Sequence, residues 1–277
     1  MSTARNIIQQ TPGILASDGD GVRLTRIVGS PDVNMVDPFL LLDAFESDRP
    51  DDYIGGFPSH PHRGFETVTY LLEGRMRHKD SAGHEGVIEP GGVQWMTAGR
   101  GVVHSEMPEQ ENGLLSGFQL WVNLPADQKM SEPAYQEFPS SEIPVETLKS
   151  GGTIKVIAGT TDLGTEGPVQ IKATQPLYFD VQLNAGETFQ QAIPETHGGF
   201  VYVLKGSIDL GVELRAGTLG VLGDGDRVEG KASDQGARFL LLAGRRLNEP
   251  VARGGPFVMN TKQEIQQAFD DYKNGRF

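Results

Sequence analysis

His60 and His62 stand one residue apart in SHPHRGFETVTYLLEG, residues 59–74, in a chain with only six histidines among 277 residues. Side chains at i and i+2 of a β-strand share a face, so both imidazoles can enter one interior. Pro61 between them donates no backbone hydrogen bond and suits a strand start, edge or bulge. Further along, His104 and Glu106 in GRGVVHSEMP, residues 99–108, repeat the spacing. Two such pairs on two strands of one barrel can converge on one ion and offer it three imidazoles and one carboxylate. Those ligands suit Fe, Mn, Ni, Cu or Zn. An octahedral ion held this way keeps two positions open for water, substrate or dioxygen, whereas a four-coordinate zinc keeps none and is structural. The carboxylate also lowers the charge to be buried from +2 to about +1. Either pair alone is weak evidence; the two together are far more specific. His78 and His84, in the polar run RHKDSAGHEG, read as surface or supporting residues, and His197 in PETHGGF reads as a turn residue.

The elements that must carry these side chains are short strands. The sequence holds 36 glycines and 17 prolines, recurring between apolar runs, which is the punctuation of strands joined by turns. The runs are ETVTYLLEG (66–74), GFQLWVNLP (117–125), TIKVIAG (153–159), PLYFDVQLNAG (176–186), GGFVYVLKGSIDL (198–210) and ARFLLLAG (237–244). Helical periodicity is confined to NTKQEIQQAFDDYKNG (260–275). There Asn260 or Thr261 can cap the start, Ile265, Phe269 and Tyr272 share a face, and Gly275 marks the stop. The polar, proline-bearing stretch 126–144 reads as a linker. Residues 69–93 and 201–225 echo each other, each a hydrophobic strand ending in Glu-Gly or Lys-Gly, a second strand, a glycine turn and a third. The expectation is an all-β chain of two tandem antiparallel β-barrels or jelly rolls with a C-terminal helix, divided into residues 1–136 and 137–277.

Composition narrows the function. The net charge of −13 and pI near 4.9 repel phosphate backbones, so direct nucleic-acid binding is not expected. The absence of cysteine removes disulfides, thiolate metal sites and a cysteine nucleophile. The N-terminal residues contain no long apolar core of a secretory signal, and no run approaches the ~20 apolar residues of a membrane span. A cytoplasmic protein without membrane contact is the expectation. Walker A, GxGxxG and GxSxG motifs are all missing from the sequence.

These residues resemble the cupin superfamily and, within it, the pirin family. The first cupin motif, G-x5-HxH-x3/4-E-x6-G, is matched by GGFPSHPHRGFETVTYLLEG, with Glu66 as its carboxylate and Gly74 one residue late. The second keeps Gly101-x2-His104, with Gly99 in place of the proline. HPHRGFETVTYLLEG, QWMTAGRGVVHSE, FQLWVNLP and PFVMNTKQEIQQAFDDY resemble pirins nearly word for word across residues 60–272. The resemblance implies a bicupin with one divalent metal in the N-terminal domain, held by His60, His62, His104 and Glu106, with Glu66 structural or supporting. Iron is the metal it implies. Aligning Gly206 with Gly74 sets Ala192 and Pro194 against His60 and His62, and no histidine follows His197, so the C-terminal domain is expected to be a degenerate, metal-free copy.

Bacterial pirin-like proteins resemble quercetin 2,3-dioxygenases, which open a flavonol ring with dioxygen and release carbon monoxide. This implies a planar aromatic substrate, Glu106 as general base as well as ligand, and a pocket to which Phe57, Arg63, Trp95 and Met96 are candidate contributors. The alternative it implies is a non-catalytic, iron-dependent redox regulator acting on a protein partner, such as a transcription cofactor or a regulator of metabolic enzymes. A monomer is the expectation in either case.

Overall fold

The computed structural model describes residues 2–277. Antiparallel strands and, among the described residues, one C-terminal α-helix make up the regular structure, as the apolar runs between glycines predicted. The chain divides into two compact units that interleave along the sequence. The N-terminal unit comprises 14–29, 39–140 and 247–277; the C-terminal unit comprises the residues up to Gly13, 30–38 and 141–246. The compact units thus group residues 247–277 with 14–29 and 39–140, whereas the expected division at 136/137 keeps them with the second domain.

The N-terminal unit is built on two sheets. The larger runs in the order Ala134–Phe138, Val93–Thr97, Phe65–Glu73, Leu115–Asn123, Phe39–Ser47, Val22–Val28, Ile14–Asp18. The smaller runs Phe57–His62, Val102–Pro108, Met76–Asp80, Glu85–Ile88. Their inner faces meet, since the Thr69 hydroxyl of the larger sheet donates to Glu106 of the smaller over 2.7 Å. Period-two alternation sets what points inward. Along Val102–Pro108 the buried residues are Val102, His104 and Glu106, and the intervening ones are only half-buried.

The stretch read as a linker is not one. Ala134–Phe138 is the edge strand of the larger sheet, paired with Val93–Thr97. Lys129, in the turn before it, is 1% exposed, and its ammonium donates to the Gly64 carbonyl (2.7 Å), the Asn123 side chain (2.6 Å) and the Val258 carbonyl (3.1 Å). The stretch is polar because an edge strand is half solvated and because this lysine is satisfied internally, not because it is free of the core.

The C-terminal unit is a nine-stranded antiparallel sheet containing one 19-residue strand, Arg227–Arg245. Its interior is filled by Phe189, Val201, Val203, Val228, Phe239 and Leu241 among others. Thr188–Ala192 pairs with Arg227–Arg245 much as Phe57–His62 pairs with Val102–Pro108. Its buried residues are Phe189 and Gln191, opposite Gly230 and Val228; Ala192 is exposed. The inward counterparts of the histidines are thus not Ala192 and Pro194, although an imidazole is absent on either alignment. His197 is the buried first residue of the strand His197–Asp209 and lies 3.1 Å from the Gln175 carbonyl, not in a turn.

Helix α1, Lys262–Lys273, is capped by Thr261. The Thr261 hydroxyl accepts from the Glu264 amide (3.2 Å) and the Glu264 carboxylate accepts from the Thr261 amide (2.7 Å), a reciprocal capping box.

Candidate metal centre

The bulged pairing of two strands assembles the site. His60 lies opposite His104, the register then slips, and Glu106 falls opposite Phe57. His60, His62 and His104 come together, each offering a ring nitrogen within 4.8 Å of the others. Ring centroids are 4.5 Å apart for His60 and His104 and 5.1 Å for His62 and His104. Phe65 and Trp121 stand edge-on to His62 at 5.0 and 5.3 Å and close the apolar side.

Hydrogen bonds assign the tautomers of two of these rings. His60 Nδ1 lies 2.8 Å from the Pro58 carbonyl and His62 Nδ1 3.3 Å from the Pro256 carbonyl. A carbonyl only accepts, so each Nδ1 carries the hydrogen and each Nε2 the lone pair. The two Nε2 atoms then face each other at 3.0 Å. Two lone pairs so placed repel unless a cation lies between them. A proton is disfavoured there, because burial and the neighbouring His104 and His60 hold His62 well below the ordinary histidine range. Burial likewise lowers His104 to about 4, against the opposing charge of Glu106. Both ring nitrogens of His104 are buried without a hydrogen-bond partner among the described residues. Metal–imidazole bonds of ~2.0–2.1 Å would let both Nε2 atoms, 3.0 Å apart, reach one ion. Three imidazoles, one of them wholly orphaned, can hold a metal ion.

Glu106 is buried on the same face but is not a member of the mutually close group. Its carboxylate accepts from Thr69 Oγ1 (2.7 Å) and Gln119 Nε2 (3.2 Å). Thr69 Oγ1 also lies 2.7 Å from Gln119 Oε1, and its single hydrogen serves one of these two acceptors at a time. Sequence reasoning missed Thr69 and Gln119. The signal was available: Gln119 is a polar residue in the middle of a largely apolar run, between Phe118 and Leu120.

A cavity of about 660 Å³ opens from His60 and His62. His60, His62, Glu106 and Gln119 line its polar end, and Trp121, Phe57, Phe45, Leu41 and Leu24 its apolar walls. Arg26 also lines it, held bidentately by Asp43 (3.0 and 2.7 Å) with Asp18 at 2.8 Å. Burial pushes the Asp43 carboxyl up despite this arginine.

Of the candidate pocket residues, Phe57 lines the cavity and the other three do not. Arg63 is buried and turned to Asp271 of α1 (2.7 Å), to the Arg100 carbonyl and to the Phe277 ring, whose centroid is 4.3 Å from the guanidinium carbon. Trp95 is 1% exposed in the sheet, and Met96 packs with Ala98 and Val102. Glu66 is buried and accepts from the Thr97 hydroxyl over 2.7 Å, away from the histidines. His78 is buried, 2.8 Å from Glu137, whereas the His84 side chain is 61% exposed beside Asp80.

Comparison with known proteins agrees with this architecture. The sequence pattern described as Pirin matches residues 21–122, and that of the Pirin C-terminal cupin domain matches residues 178–277. A pirin-like protein of Caulobacter vibrioides is 54% identical over 274 residues, 99% of each chain. Human pirin is 46% identical, covering 94% of this chain and 89% of its own. The crystal structure of a quercetin 2,3-dioxygenase from Acinetobacter baumannii superposes with a TM-score of 0.90 at 35% identity, over 99% of both chains. No helix among the described residues is long and apolar enough to cross a membrane. With two cupin domains, both family patterns and relatives alike over nearly its whole length, the chain belongs to the pirin family.

Proposed function

We propose that the chain is a metal-dependent dioxygenase of the quercetin 2,3-dioxygenase type, opening a flavonol ring with dioxygen and releasing carbon monoxide. The observation that carries this reading is the site's composition: His60, His62 and the buried Glu106 line a cavity beside the buried His104, and its remaining walls set Trp121, Phe57, Phe45, Leu41 and Leu24 beside the charged Arg26, Asp43, Asp18 and Arg253. Its volume lies within the ~300–1,000 Å³ of small-molecule pockets. Similarity to the Acinetobacter baumannii enzyme supports the same reading.

His60, His62, His104 and Glu106 would hold the ion. Iron is the choice the family resemblance favours, and Mn, Ni, Cu and Zn suit the same donors. When bound, such an ion supplies Lewis acidity that lowers the pKa of a phenolic hydroxyl, and a redox-active one supplies electrons for dioxygen chemistry. The protein supplies the rest. Trp121, Phe57 and Leu41 offer flat apolar contact to a planar substrate and exclude water. The Glu106 carboxylate, aimed by Thr69 and Gln119, takes the substrate's hydroxyl proton as general base. The Nδ1–H of His60 and of His62 stays on its carbonyl, so neither ring acts as the proton carrier.

The test is anaerobic loading with Fe(II), metal stoichiometry, then admission of oxygen with quercetin, following carbon monoxide beside a His62→Ala control. Metal-dependent carbon monoxide, lost in the control, is the expected result. Stoichiometric metal without turnover would replace this reading with the redox regulator, in which two oxidation states of the ion differ in affinity for a protein partner.

A further inference from the structure

His62 receives its hydrogen-bond acceptor from far along the chain. Pro256, whose carbonyl faces His62 Nδ1, sits in the turn between the short paired strands Ala252–Gly254 and Phe257–Met259. Arg253, Gly255 and Pro256 also line the cavity. This hairpin is held against the residues that follow His62. The Val258 amide donates to the Arg63 carbonyl (3.0 Å), and Lys129 bridges the Gly64 and Val258 carbonyls (2.7 and 3.1 Å). Gly64 has φ near 87°, and a Cβ there would lie 2.0 Å from the Val258 carbonyl oxygen, so only glycine admits the approach.

A second fastening lies one residue from His62. Arg63 is ion-paired to Asp271 and covered by Phe277. The Asp271 carboxylate is itself held by Gln267 (2.8 Å) and Arg276 (2.9 Å), and these contacts, Arg63 foremost, hold its pKa down to about 2. Phe257 packs edge-on against Phe269 of α1 at 4.9 Å. The helix therefore grips both the hairpin and the residue next to the imidazole.

We infer that the C-terminal segment is a working part of the metal centre: the Pro256 carbonyl fixes the Nδ1–H tautomer and ring orientation of His62, and Asp271 acts through Arg63 as a positioning residue that keeps this carbonyl in place. This rests on the metal reading of the three histidines. A hydrogen bond to the non-ligating nitrogen orients a metal-binding histidine, and loss of such a partner weakens metal binding ~10–100-fold. What is unusual is that the partner belongs to a segment fastened by its own ion pair, so that metal affinity depends on a contact outside the cavity.

The test uses the full chain with Asp271→Ala, Asp271→Asn, Phe277→Ala and, as control, Arg238→Met, which breaks the 2.7 Å ion pair with Asp180 in the other unit. Two quantities are read: Co(II) affinity by competition with a chelator, and the His62 tautomer in the metal-free protein by ¹⁵N chemical shifts. In the unaltered chain His62 shows the Nδ1–H tautomer alone. Asp271→Ala weakens Co(II) binding at least about tenfold and mixes the His62 tautomers. Asp271→Asn, which keeps an acceptor, falls between, and Arg238→Met changes neither. Unchanged affinity and tautomer in Asp271→Ala overturn the inference. If Asp271→Ala does not fold, Phe277→Ala, which removes the ring that covers Arg63 and packs against Phe257 of the hairpin, decides it by the same two readouts. If the unaltered chain binds no Co(II), the metal reading fails, and the tautomer alone decides whether the segment positions His62.

Discussion

Glu66 offers a prediction whose size follows from its surroundings. The side chain is 2% exposed and its Oε1 accepts from Thr97. Burial pushes its pKa from 4.5 to about 7, and the Thr97 hydroxyl and the Trp95 indole offset only part of this. Between those values the folded protein binds more protons than the unfolded chain, so stability is present below pH 4.5 and is lost as pH rises towards 7. Each unit of displacement is worth 1.36 kcal/mol, which gives a total loss of about 3 kcal/mol, about 2.5 of it between pH 5 and pH 8. Glu66→Gln keeps the shape and an acceptor for Thr97 but cannot ionise. Its stability relative to the unaltered chain should therefore rise by about 2.5 kcal/mol from pH 5 to pH 8. Urea unfolding followed by tryptophan fluorescence measures this in the correct unit, because both tryptophans, Trp95 and Trp121, lie in it. Parallel stability curves for the two proteins across that range would refute the reasoning, for they would mean that Glu66 is solvated or paired when ionised.

Two further outcomes concern the site. His104→Ala, which deletes the imidazole with no other partner, should abolish stoichiometric metal binding measured by elemental analysis, while His84→Ala, altering an exposed ring, should leave it intact. Thr69→Val removes a hydrogen bond to the Glu106 carboxylate worth about 1.5–3 kcal/mol, so kcat for carbon monoxide release should fall roughly 10- to 100-fold with KM little changed; a raised KM with kcat unchanged would place Thr69 in substrate binding instead.

Much of the site was legible before the fold was known, because its chemistry is carried by residue type and by the period of two. The HxH and HxE pairs predict side chains that share one interior, and the structure brings the three histidines together; the strands follow from the apolar runs between turns, and α1 from its N-cap and the spacing of Ile265, Phe269 and Tyr272. Three things were not legible. The hairpin around Pro256 closes the site from a distant stretch of chain, and no local pattern announces a carbonyl as a partner for an imidazole. Arg63 follows a metal-ligand motif directly, yet its guanidinium is turned to α1, since strand neighbours point to opposite sides. The stretch 126–144 carries the polar composition of a linker because Lys129 finds three internal acceptors, and only the folded chain brings Gly64, Asn123 and Val258 together.

The partnership of His62 with Pro256 also has a bearing on biosynthesis. The two residues are separated by 194 positions, and the whole segment 141–246, which builds the other unit, is translated between them. At roughly 5–20 residues per second, the imidazole leaves the ribosome about 10–40 s before its carbonyl. During that interval the nascent barrel exposes its three histidines without the final wall, and any ion it captures is held by an unfinished set of supports. Maturation of the centre thus becomes a late event, and a chain arrested before Pro256 cannot reproduce it.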